Sequence, residues 1–303
     1  TVNRCNFTNS TFGMKNMTSD PKVTECNFSG NQDAGMINCI CGPEVTNCTF
    51  TDNSTTMYGG GMFNDGAWPM VTGCSFTNNT ADSYGGGMYN ILSFPTVINC
   101  TFSGNSAKNG GGMFNSESWA TVDKCTFNNN EADNYGGGMG NDLCNPTVTN
   151  CTFSGNSANS KGGGMSNFWA GPSVTNCTFY DNSAMDGGGM GNDYCNPTVI
   201  NCTFIGNTGY IEGGGIYNWF SGPSVTNCTL SGNSAIAGGG MYNLACKPTV
   251  TNCIFWGDTA DKGPEICELI AGTTVTYSDV QGGWGGAGNK NINPMFADDD
   301  KRL

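Results

Sequence analysis

Histidine is absent from this chain. That removes the commonest general acid–base and the commonest transition-metal ligand, and it weighs against an enzyme. Charge is scarce as well: Asp, Glu, Lys and Arg make up 12% of residues, about half the roughly 25% of an average soluble domain. Only 11 residues are Lys or Arg, and the formal net charge is −13. A nucleic-acid partner needs a basic patch against phosphates, and the sequence has none. The same deficit argues against docking on anionic membranes. No apolar run approaches the roughly 18 residues of a spanning helix, so direct membrane insertion is not expected. No signal peptide opens the chain, which begins at Thr1 inside a repeat-like segment, as a mature or trimmed chain would.

Glycine and cysteine are what the sequence has in plenty, with 47 and 17 residues among 303. The cysteines suggest a disulfide scaffold until their positions are read. Eleven of them stand from Cys5, Cys26, Cys48 and Cys74 through Cys100, Cys125, Cys151, Cys177, Cys202 and Cys228 to Cys253, spaced by 21 and 22 residues and then by 25 or 26. Around each runs a phrase like Pro146-Thr-Val-Thr-Asn-Cys-Thr-Phe-Ser-Gly-Asn-Ser-Ala158, followed by Gly-Gly-Gly-Met-x-Asn as at Gly162 to Asn167. A fixed period in this range means a stack of like units. Glycine triplets, several asparagines and usually a proline in the period exclude helical repeats. Short runs rich in Val, Thr and Phe between turn residues read as strands. The fold predicted is all-β: a right-handed, single-stranded parallel β-helix of about eleven coils, three strands to each. The coils fill residues 1–262, with the final coil and a capping segment, including the charged run from Asp298 to Arg302, in 263–303. At about 4.8 Å per coil the rod would be roughly 53 Å long.

The columns support this stacking. Valine recurs from Val45 through Val148 to Val250; phenylalanine recurs at Phe102, Phe127, Phe153, Phe179 and Phe204; methionine follows the glycines from Met62 to Met241. Cysteine sits two residues before phenylalanine, so alternation turns it inward too. The asparagine just before it, as in Asn150, Asn176 and Asn201, is placed at a corner because Asn tolerates left-handed dihedrals. Two further asparagine columns, Asn64 to Asn243 and Asn53 to Asn233, are read as turn architecture.

With F-x-x-N running from Phe50 to Phe204 and Gly-Gly-Gly-Met in the following turn, the repeat resembles the passengers of chlamydial polymorphic membrane proteins. Those carry F-x-x-N with a Gly-Gly-Ala-Ile type motif. The likeness covers about residues 1–260, but no outer-membrane barrel sequence follows. The chain also resembles secreted bacterial β-helix proteins. The first resemblance implies adhesion; both imply an extracellular or cell-surface, bacterial setting.

Candidate chemistry is sparse. In-register cysteines hold their Cβ atoms about 4.8 Å apart, beyond disulfide reach, so free buried thiols are expected. A line of thiolates lacks the convergence of a zinc site, and no metal or cofactor is expected. Asp142 and Asp193 stand two coils apart, roughly 9.6 Å by the coil spacing, a separation open to glycoside hydrolysis, but the Ser166 to Ala170 stretch between them carries no charge. Aromatic residues form the best candidate binding face. Phe63, Tyr89, Phe114, Tyr217 and Tyr242 are expected to point outward as an exposed row, with Trp68, Trp119, Trp169 and Trp219 in nearby loops. The expected function is a non-enzymatic structural or adhesive module, self-associating into filaments or a surface layer or meeting a surface or carbohydrate partner. A polysaccharide-binding or polysaccharide-degrading protein is the alternative.

Overall fold

The computed structural model describes residues 1–296. The capping run from Asp298 to Arg302 lies outside the described residues. Every strand pairs in parallel with its counterpart one coil away, and like residues meet in register: Val122 with Val148, Phe127 with Phe153, Met113 with Met139. Among the described residues three sheets of 12, 12 and 11 strands result, carrying the valine, phenylalanine and methionine columns respectively. The three columns meet with the cysteines in one continuous buried core. Phenylalanine rings from Phe7 to Phe204 stack at centroid separations of 4.6–4.8 Å and within 6° of parallel. No coil could bury these faces alone, so stability belongs to neighbouring pairs.

A fourth strand is present in seven coils, from Ser54–Thr55 to Thr208–Glu212. Three strands per coil was therefore too few. Its outward residues are mostly polar and its inward residues small, with Ala132, Ala158 and Ala184 packed together, a pattern too short and too small to separate from a loop by periodicity. The glycine triplet folds this strand back against the methionine sheet. In Gly136-Gly137-Gly138 only the first glycine has a left-handed φ, +69°. A Cβ on the third would stand 2.6 Å from the Gly164 carbonyl oxygen and 2.9 Å from the Phe153 ring. Close approach, as much as backbone freedom, requires glycine here.

Asparagine does two different things. At the corner after the valine strand, Asn47, Asn99, Asn150, Asn176, Asn201, Asn227 and Asn252 have φ of 51–55°, as expected, and Asn176 donates to the Asn150 side chain at 3.2 Å along the exposed edge. The column from Asn64 to Asn243 is not a turn, however. It lies inside the methionine strands and faces the core, with Asn115 Nδ2 donating to Asn141 Oδ1 at 2.9 Å and Asn141 to Asn167 at 2.9 Å. A buried amide is tolerated because donor and acceptor are both met one coil away. The third column, from Asn31 to Asn233, does turn the chain, and each Nδ2 also donates to a phenylalanine carbonyl of the preceding coil. Its last rung is Asp258, whose Oδ1 accepts from Asn233 Nδ2 at 2.8 Å. Burial and the neighbouring Glu265 carboxyl hold Asp258 far above the usual carboxylate range.

The cysteines also occupy a corner. In the main column each sulfur from Cys26 to Cys253 accepts the backbone N–H of the preceding coil's cysteine, as Cys151 does from Cys125 at 3.4 Å. All cysteines are free thiols among the described residues, and only Cys5 is exposed. Burial pushes Cys144 and Cys195, which stand outside the main column, up to about 12.

Candidate functional site

Residues one and three positions after the core-facing methionine point away from the core. The first of these makes an aromatic column, Phe63, Tyr89 and Phe114, resumed by Tyr217 and Tyr242. These rings do not form the exposed row expected: Tyr89, Phe114, Tyr217 and Tyr242 are 4–7% exposed. The folded-back fourth strand covers them, and its Tyr84 lies 4.8 Å from Phe114 and 5.5 Å from Tyr89, centroid to centroid. Trp68, Trp119 and Trp169 remain about half exposed on the next corner, and Trp219 joins the aromatic wall described below.

Between the two aromatic blocks the column holds Gly140, Ser166 and Gly191, in register with Phe114 on one side and Tyr217 on the other. Three missing rings leave a cavity of about 240 Å³. Where glycine replaces the ring, the outward residue two positions later is an aspartate: Asp142 after Gly140, Asp193 after Gly191. Phe168 stands between the two aspartates in the sheet register. The cavity wall also takes in Asn109, Tyr135, Lys161 and Trp219.

Lys161 was not foreseen as part of any site. It ends the fourth-sheet strand Ser157–Lys161, and its stem crosses Gly191, where an added Cβ would come within 3.3 Å of the lysine Cβ. Its ammonium donates to Asp193 Oδ2 at 2.8 Å and lies 4.6 Å from the Trp219 ring centroid and 5.0 Å from that of Tyr217. Lysine and aspartate side chains are only 15% and 11% exposed, so this pair is largely withdrawn from water. Burial raises Asp193, with Lys161 opposing; burial and Glu117 raise Asp142. Asp186, beside Glu212 in the register, is pushed up to about 6 by burial and then by that neighbour.

Three acceptors at this place lack a protein partner. Asn109 Oδ1, Asp142 Oδ1 and Asp193 Oδ1 are buried without a hydrogen bond, and all three residues line the cavity. Unmet buried acceptors are uncommon in folded proteins and mark a strained or ligand-completed place. A molecule rich in hydrogen-bond donors would complete it. Among the described residues no group of three His, Cys, Asp or Glu could hold a metal ion.

A family model described as the right-handed β-helix region matches residues 141–279. The fold is a right-handed parallel β-helix. The matched segment contains Asp142, Lys161, Ser166 and Asp193, so the notch belongs to the β-helix body and not to an appendage. No curated protein matches the chain. The two carboxylates were legible in the sequence, and so was their two-coil separation. The lysine and the gap in the ring column were not seen, although the signal was there: Met-Gly-Asn-Asp occurs twice, at Met139–Asp142 and Met190–Asp193, pairing glycine with aspartate each time.

Proposed function

We propose that this β-helix is an extracellular adhesive rod that binds a carbohydrate chain in the notch over Gly140, Ser166 and Gly191. The observation that carries the reading is the convergence of three unpartnered acceptors on one cavity between aromatic walls. Sugars combine ring faces with many hydroxyl donors, and small-ligand sites characteristically set a few polar groups in an apolar frame. Tyr135 and Phe168, each more than 40% exposed, offer rings at the rim. A cavity of 240 Å³ lies below the roughly 300–1,000 Å³ of sites for drug-sized ligands, which suits a single sugar residue of a longer chain. Asp142, Asp193 and Lys161 line the cavity, and Asp186 and then Glu212 follow Lys161 in the register of the fourth sheet, so carboxyl groups outnumber the ammonium here. That favours neutral or amino sugars over uronates. The resemblance to adhesive passenger repeats agrees with this role.

Calorimetry of the chain with neutral, amino-sugar and uronate oligosaccharides tests the proposal. Binding of one of the first two classes, lost in Asp193→Asn and Asp142→Asn, is expected; selective uronate binding, or binding unaffected by both changes, overturns it. A hydrolytic reading has one observation in its favour. The two raised carboxyls lie two coils apart, roughly 9.6 Å by the coil spacing, near the separation of inverting glycosidases. Release of new reducing ends from the bound glycan would convert the adhesin into an enzyme.

A further inference from the structure

Each coil turns through left-handed residues at three corners, but the corners are built differently. After the valine strand the residue is mostly asparagine; after the phenylalanine strand it is Asn, Asp or Gly; after the methionine strand it is often large and apolar. Ile40, Leu92, Leu143, Trp169, Phe220 and Ile270 hold φ of 48–53° at this third corner. They are 52–84% exposed. Bulky side chains are disfavoured in this conformation, β-branched ones most of all, and water disfavours their exposure. Asparagine would relieve both problems, as it does on the neighbouring corner. An apolar edge is kept here against local backbone preference and solvation together, which points to a partner.

The edge itself describes that partner. Of the residues in this corner column only Glu117 is charged, on a chain of net charge −13. Like-charged copies would therefore repel least along this line. Trp169, Tyr194 and Phe220 stack with centroids 4.9 and 5.4 Å apart and planes within 8°. Tyr194 has both faces covered by its neighbours, and Trp169 and Phe220 have one each, so the stack leaves few free ring faces for a sugar. From Ile40 to Ile270 the edge crosses the methionine sheet over nine steps between strands, about 43 Å at about 4.8 Å each. Half-exposed large side chains present roughly 100 Å² apiece, and the six with Trp68, Phe94 and Trp119 reach about 900 Å². A stable interface needs about 800 Å² per partner. The match in length and the self-complementary chemistry suit a two-fold contact between identical rods.

We propose that this corner ridge is a self-association surface, on which a second copy of the chain lies side by side, ridge against ridge. Sedimentation equilibrium and tryptophan emission of the full chain over a dilution series test it. The expected result is a doubled mass at about 100 µM with blue-shifted emission, both lost on dilution. The variant Leu92→Asn/Leu143→Asn/Trp169→Asn/Phe220→Asn should weaken association at least about 100-fold while keeping its melting temperature, because asparagine suits these dihedrals. A wild-type chain that stays monomeric at about 1 mM overturns the proposal, as does a folded variant that associates like wild type. A monomeric wild-type chain whose ridge captures lipid vesicles or oligosaccharides overturns it equally. Oligosaccharide binding by the monomeric ridge variant reports separately on the notch.

Discussion

Strands Met88–Ile91 and Met139–Asp142 belong to one sheet, two coils apart. Their inward residues are the same: Met88 and Met139 in the core, Asn90 and Asn141 in the amide ladder. Their outward residues share nothing, Tyr89 and Ile91 in the first against Gly140 and Asp142 in the second. An inward side chain is fixed by identical neighbours above and below it, so any change breaks two contacts. An outward position answers only to what covers it. Three coils could lose their rings and gain two carboxylates without disturbing the stack, and the notch is the result.

The largest effect should come from breaking an inward column. Phe153 lies between Phe127 and Phe179 at 4.8 and 4.7 Å, and Phe153→Ala should cost about 3–5 kcal/mol in urea unfolding. Ser166→Ala, one residue past the core methionine, should cost under about 1 kcal/mol. Equal losses at the two sites would erase the distinction between inward and outward positions.

Next comes the buried pair. Lys161→Met strands the Asp193 carboxylate, and a loss of about 3 kcal/mol is expected, mostly recovered in Lys161→Met/Asp193→Leu. If the double variant were no more stable than the single one, the lysine would matter for packing and not for charge.

Refilling the gap is a smaller test. Ser166→Tyr restores a ring to the column and should cut oligosaccharide affinity tenfold or more, about 1.4 kcal/mol, without lowering the melting temperature. Unchanged affinity would place the sugar elsewhere.

The pH dependence is the smallest. Asp186 is raised in the folded chain to about 6, above its unfolded value, so folding favours its protonated form. That contribution is complete below the unfolded pKa and is lost as pH rises through about 6. Asp142 and Asp193 are shifted the same way. The melting temperature should therefore be higher at pH 4.5 than at pH 7, and Asp186→Asn should narrow that gap; a gap that widens would reverse the sign assigned here.

Much of the architecture was readable because a repeat is a local signal. The columns running through Val148, Phe153 and Met165 fixed the stacking, and the corner asparagines predicted a left-handed turn that Asn150 and Asn176 adopt. The errors came where two segments of a coil approach each other. Alternation placed Tyr89 and Tyr217 outward correctly, but nothing in a periodic pattern shows that a glycine turn folds the next strand over them. The same blindness hid Lys161, whose role depends on its stem crossing Gly191 of the following coil.

Sequence alone determined the coil, its period, its inward columns and the acidic, histidine-free character that narrows its chemistry. These follow from side-chain size and backbone preference repeated at a constant interval. Tertiary structure alone decided which outward residues are covered, which acceptors go unmet and which apolar corner is left bare. Those depend on distances between segments about 25 residues apart, and a one-dimensional pattern carries no record of them.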